Sequence, residues 1–220
     1  TAPFRWTWLI NYDQNESAQP VTTYNTKKLE PSSDDDGFAE LNLPFQFPFY
    51  GELYSKVLIS TDGSILFSNN FEYVRNEANL IDSKAITVYG TDLMLYESDN
   101  DGIWYHSTRD SLTVHWKTSK YNNPSFNADF YATIFPSGKI KLLYGPNITP
   151  SNDWVAGISN GDKDNYLKAT VAGMQTISGN TCITLNTTET PEGFKLSEDG
   201  KISFTTKTGN GHWDIKVKAT

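Results

Sequence analysis

The acid-rich loops are where this chain could do chemistry. Glu97-Ser98-Asp99-Asn100-Asp101-Gly102 sets oxygen donors at alternate positions ahead of a turn glycine. Calcium takes several hard oxygens from a sharply bent loop, so Glu97, Asp99 and Asp101 form a candidate metal site. Ser32-Ser33-Asp34-Asp35-Asp36-Gly37 repeats the partial pattern, with Asp34 and Asp36 as its ligands. The first loop is not an EF-hand, because its twelfth position is Thr108 where a bidentate Glu is needed. Asp162-Lys163-Asp164-Asn165 is a weaker version. The same residue types also build turns with no ion bound. Calcium is the one cofactor these patterns suggest.

Ligand contact needs exposed rings and amides. Trp154 follows Ser151-Asn152-Asp153, and Tyr121-Asn122 opens a second polar loop, so these three residues are candidate contacts for a sugar or protein. Catalytic constellations do not emerge. His106, His115 and His212 lack zinc spacing, and His115 beside Trp116 reads as a strand residue. There is no nucleophile elbow, Walker loop or dinucleotide fingerprint. A glycosidase acid pair is purely spatial, so 26 acidic residues give it no weight. The single cysteine, Cys182, makes no internal disulfide and reads as a buried, inert thiol in a strand. The expectation is a protein that is not an enzyme.

The elements that must position these loops are strands. Turn signals recur about every ten residues between β-branched and aromatic runs, which is the all-β pattern. Phe45, Phe47 and Phe49 alternate with Gln46 and Pro48, giving one aromatic face. Pro44 and Pro48 cannot donate to a ladder, so this segment belongs at an edge or a bulge. Asp62-Gly63 between apolar runs predicts a hairpin. Further hairpins are expected across Thr108-Arg109-Asp110 and Pro136-Ser137-Gly138, and over 194–204. Residues 11–37 and 69–84 read as long polar loops that supply contact surface.

The chain has 220 residues and a formal net charge of -8, which argues against nucleic acid as a partner. No apolar run approaches the length of a membrane span. Missing disulfides fit a bacterial surface protein better than a small animal ectodomain. The chain is expected to be a piece of a longer polypeptide, with that polypeptide's other domains among its partners.

Leu43-Pro-Phe-Gln-Phe-Pro-Phe-Tyr-Gly51, Thr61-Asp-Gly-Ser-Ile-Leu-Phe67, Gly102-Ile-Trp-Tyr105, Leu112-Thr-Val-His-Trp116, Phe130 to Tyr144 and Ala156-Gly-Ile158 occur in order. This run resembles a β-sandwich module of secreted and surface bacterial proteins, and is similar in pattern to nidogen-like and plexin-domain-containing ectodomains. Pro191 to Phe204 with Trp213 to Ala219 resembles the second half of immunoglobulin-like and cadherin-like bacterial repeats. The expected architecture is therefore an antiparallel β-sandwich over 1–180. An Ig-like β segment over 181–220 follows, either separate or packed on the first. The resemblance implies an extracellular or cell-surface adhesion or ligand-binding module whose partner is a protein or a glycan. Its alternatives are a carbohydrate-binding module and an accessory domain of a secreted hydrolase.

Overall fold

The computed structural model describes residues 6–8, 12–21, 27–68, 73–146, 148, 153–187, 194–196, 202–204 and 217–219. In chain order the strands begin with β1 (Trp6–Trp8), β2 (Tyr12–Ala18), β3 (Lys27–Leu29), β4 (Phe38–Phe49), β5 (Glu52–Ser60) and β6 (Ser64–Leu66). A short helix α1 (Glu77–Asp82) precedes β7 (Lys84–Gly90) and β8 (Leu93–Met94). Then come β9 (Gly102–Ser107), β10 (Leu112–Lys120), β11 (Asn123–Ile134), β12 (Ile140–Tyr144), β13 (Val155–Asn160), β14 (Tyr166–Lys168) and β15 (Thr181–Thr187). The last are β16 (Phe194–Leu196), β17 (Ile202–Phe204) and β18 (Val217–Ala219).

Two antiparallel sheets form the sandwich. The larger runs β2-β15-β12-β11-β10-β9-β3, with β8 also paired to β10; the smaller runs β14-β13-β7-β6-β5-β4. The main core lies between them and draws buried side chains from both. Side-chain donors tie the layers together: the Trp116 indole donates to the Ser60 carbonyl at 2.9 Å and the Tyr144 hydroxyl to Val88 at 2.8 Å. A second apolar cluster, including Leu58, Leu66 and Leu80, sits under α1 on the other face of the smaller sheet. Asn76 caps that helix by accepting from the Asn79 N–H.

The phenylalanine-rich segment is the edge strand β4, paired only with β5 among the described residues. Phe47 and Phe49 are fully buried, and Phe49 stacks on Phe67 at 4.3 Å between centroids. Phe45 is only half-buried. The reason is a register break: pairing stops at Asn42↔Lys56 and resumes at Phe47↔Tyr54, so Leu43–Gln46 bulge opposite Ser55. Pro44 lies in that bulge, as its missing N–H requires.

Three expectations need correction. Residues 11–37 are not one loop, because they contain β2 and β3, the two edges of the larger sheet. Within 69–84 the described part holds α1 and the start of β7. Thr181–Thr187 is not part of an appended segment: β15 lies inside the larger sheet, between β12 and β2. Its alternating buried residues, Ile183 and Leu185, complete the core. Beyond it, β16 pairs β17 as the expected hairpin, and β18 pairs β1. His212 and Trp213 lie outside the described residues.

Candidate functional site: an acidic end of the sandwich

The β5–β6 turn puts Asp62 and Gly63 together, with Gly63 at φ +75. Asp62 is fully buried. Its Oδ1 accepts from the Leu93 N–H at 3.0 Å and its Oδ2 from Arg75 Nε at 3.0 Å. The same guanidinium reaches Asp36 and, at 3.0 Å, Asp92. Asp35 completes the group: one ligand oxygen from each of Asp35, Asp36 and Asp92 lies within 4.8 Å of the others. Thus four carboxylates gather around a single guanidinium. Burial pushes the Asp62 carboxyl up to about 6, against the pull of the Leu93 N–H and Arg75. Burial raises Asp35 too, and the negative charges of Asp36 and Asp92 add to the rise. Asp35 Oδ1 is buried and has no hydrogen-bond partner among the described residues.

The second acid-rich loop meets the first here. Leu95 N–H donates to the Asp34 carbonyl at 3.0 Å, and Asp35 bridges Met94. Glu30, Asp34, Glu97 and Asp101 line one cleft of about 230 Å³, with Lys28 beside them. The structure therefore brings Asp34, Glu97 and Asp101 to a common cleft, but gathers Asp36 with Asp35 and Asp92 instead. Glu97–Asp99 form one 3-10 turn, closed by Asn100 in the left-handed region at φ 55. Asp101 Oδ2 accepts from the Tyr96 N–H at 3.1 Å, which folds that carboxylate onto its own turn. The Lys117 ammonium donates to the carbonyl of Asp99 at 2.5 Å and to that of Asn100 at 3.3 Å. Asp99 Oδ2 is buried and has no hydrogen-bond partner among the described residues.

The aromatic candidates divide. Trp154 is buried, stacks on Tyr89 at 4.8 Å and donates its indole N–H to the Met174 carbonyl. It is a core residue, and the expectation of a sugar platform there is corrected. Its loop-side neighbour Asn152 lies outside the described residues. Tyr121 is 43% exposed at the β10–β11 turn, where Asn122 takes φ 57. Tyr121 N–H donates to the Asp92 carbonyl at 3.0 Å, so this turn borders the acidic end. Exposed Tyr73 flanks it as well, its ring 5.0 Å from the Arg75 guanidinium carbon.

Asp162 serves a different purpose. Its two oxygens accept from the backbone N–H of Asp164 and Asn165 and from the amides of Asn160 and Asn165. Burial alone would raise this carboxyl, but those donors outweigh it and hold it down to about 2. Sequence reasoning missed Asp35, Asp62, Arg75 and Asp92. Asp62 read only as a turn residue and Arg75 as part of a polar stretch; their meeting is spatial and left no local signal.

Two packed antiparallel sheets define an all-β sandwich module. The NIDO-related family model matches residues 11–206, and the chain belongs to that family. No curated protein and no solved structure matches it. Among the described residues, no helix is long and apolar enough to cross a membrane.

Proposed function

We propose that this chain is a non-catalytic adhesion or ligand-binding module of a larger extracellular or cell-surface protein, and that calcium steadies its contact surface. Family membership supports the extracellular setting. The bacterial-surface type and the Ig-like or cadherin-like tail of the resemblance belong to the same reading. The observation that carries it is the crowding of Asp35, Asp36, Asp62 and Asp92 around Arg75, the one cation paired with them among the described residues. Like charges held this close, partly out of water, repel unless a further cation joins them. Asp35, Asp36 and Asp92 are hard-oxygen donors of the kind calcium takes, and the orphaned Asp35 oxygen supplies one ligand atom. An ion there would fix the loops that present Tyr121 and Tyr73, rings suited to binding a protein or a glycan.

The test is a melting curve in millimolar calcium against chelator. An ion at a hundred times its Kd stabilises by about 2.7 kcal/mol, so melting temperature should rise. Asp35→Asn with Asp92→Asn should remove the rise, whereas Glu97→Gln with Asp101→Asn should leave it. The opposite pattern would move the ion to the neighbouring cleft, and equal melting in calcium and chelator would refute a calcium site.

A further inference from the structure

We propose that a groove on the outer face of the larger sheet binds a carboxylated pyranose, an acidic sugar residue of a glycan. The outer face of an antiparallel sheet normally carries polar side chains. Here one cross-strand row reads Trp104, His115, Tyr131, Leu143, each directly opposite the next on β9, β10, β11 and β12. His115 stacks on Tyr131 at 4.1 Å, nearly parallel, and holds Asp129 at 2.7 Å. The adjacent row is His106, Thr113, Thr133, Lys141. Between the rows and the segment after β2 lies a groove of about 160 Å³. Val21 and the half-buried Phe135 wall it over the buried Tyr131 and Leu143, and Thr113, Thr133 and Lys141 line its polar side.

Three features select the ligand. The half-buried Phe135 ring suits the apolar C–H face of a pyranose. The Thr113 and Thr133 hydroxyls hydrogen-bond each other at 2.9 Å and keep one O–H and their remaining lone pairs for a ligand rich in hydroxyls. Among the described residues no carboxylate lines the groove, although the chain is strongly acidic. Lys141 donates to Gln19 Oε1 at 2.8 Å and forms no ion pair among the described residues. Two ammonium donors remain for an anion. This groove lies toward the Ser111 and Phe135 ends of β10 and β11, whereas Lys117 and Tyr121 meet the acid-rich loops at the other end. Its test is therefore independent of the calcium reading.

The experiment is an amide-resolved NMR titration of the whole chain with methyl glucuronide and with the methyl glycoside of N-acetylneuraminic acid. Methyl glucoside and a short glutamate-rich peptide serve as controls. One or both acidic sugars should shift the amides of Thr113, Thr133 and Lys141. Their affinity should exceed that of the glucoside by about tenfold, the value of one charge-assisted hydrogen bond. Lys141→Gln should erase that preference, and Thr133→Val should weaken acidic and neutral sugars alike. No shift with either acidic sugar at tens of millimolar, an unchanged preference in Lys141→Gln, or tighter binding of the peptide would each overturn the proposal.

Discussion

Individual side chains in this sandwich pull in opposite directions with pH, and two carboxylates show how. Asp162, solvated by four N–H donors in its own turn, is held near 2. An acid whose folded pKa lies below its unfolded value near 3.9 stabilises above that value, and the stability is lost as pH falls toward 2. Asp62 behaves in the reverse sense. With a folded value of about 6, the native protein keeps a proton that the unfolded chain releases between about pH 4 and 6, so stability falls as pH rises through that window. Asp62→Asn should thus match the wild type near pH 4 and exceed it above pH 6, as read by denaturant midpoints across the range. A flat difference between the two proteins would show that Arg75 compensates the burial. Asp162→Ala should cost about 1–2 kcal/mol at neutral pH, because several N–H donors lose their acceptor. Phe47→Ala should cost about 3–5 kcal/mol, the usual loss for a buried ring, while Phe45→Ala should cost less because that ring is only half-buried. Equal losses at the two positions would mean that the bulge does not separate them.

Elements were the most legible scale. Alternation of Phe45, Phe47 and Phe49 with polar or proline positions announced a strand, and Pro44 with Pro48 pointed to an edge or a bulge, of which the fold has both. Asp62-Gly63 marked a real turn, where a Cβ on Gly63 would sit 2.6 Å from the Tyr89 carbonyl oxygen. Strands β2 and β3 stayed hidden for a physical reason. Tyr12–Ala18 and Lys27–Leu29 are edge strands with mostly exposed side chains, so they carry almost no apolar alternation. Charge and polarity on β2 instead guard an unpaired edge. Proline does the same on β4, and that is testable. Pro44→Thr with Pro48→Val restores two N–H donors along a long edge strand. The variant should scatter more light on incubation at an unchanged monomer melting temperature. No gain in scattering would mean that the bulge alone protects the edge.

At the scale of the whole molecule, the acidic end was half legible. Alternating oxygens flagged both loops, and the fold does bring Asp34, Glu97 and Asp101 to one cleft. The partners that complete the charge cluster, Asp62, Arg75 and Asp92, come from three other connections, and only the closed sandwich brings them together. The resemblance to bacterial Ig-like repeats misled at the C-terminal side, where it suggested a new unit after residue 180. Strand β15 shows where that unit cannot begin. It pairs with β2 from Thr181↔Ala18 to Thr187↔Tyr12, and with β12 from Cys182↔Leu143 to Leu185↔Ile140. Cys182, Ile183 and Leu185 are fully buried. A chain ending at residue 180 would leave β2 without a partner, bare the β12 ladder and open the core above Ile183. An exposed ladder beside apolar surface is a template for association, so this truncation should aggregate. A chain ending at residue 187 keeps every strand of both large sheets and should stay soluble and monomeric, with a cooperative melt. Size-exclusion chromatography and thermal melting of the two truncations distinguish these outcomes. If the shorter chain also ran as a folded monomer, β15 would be dispensable and the boundary at 180 would stand.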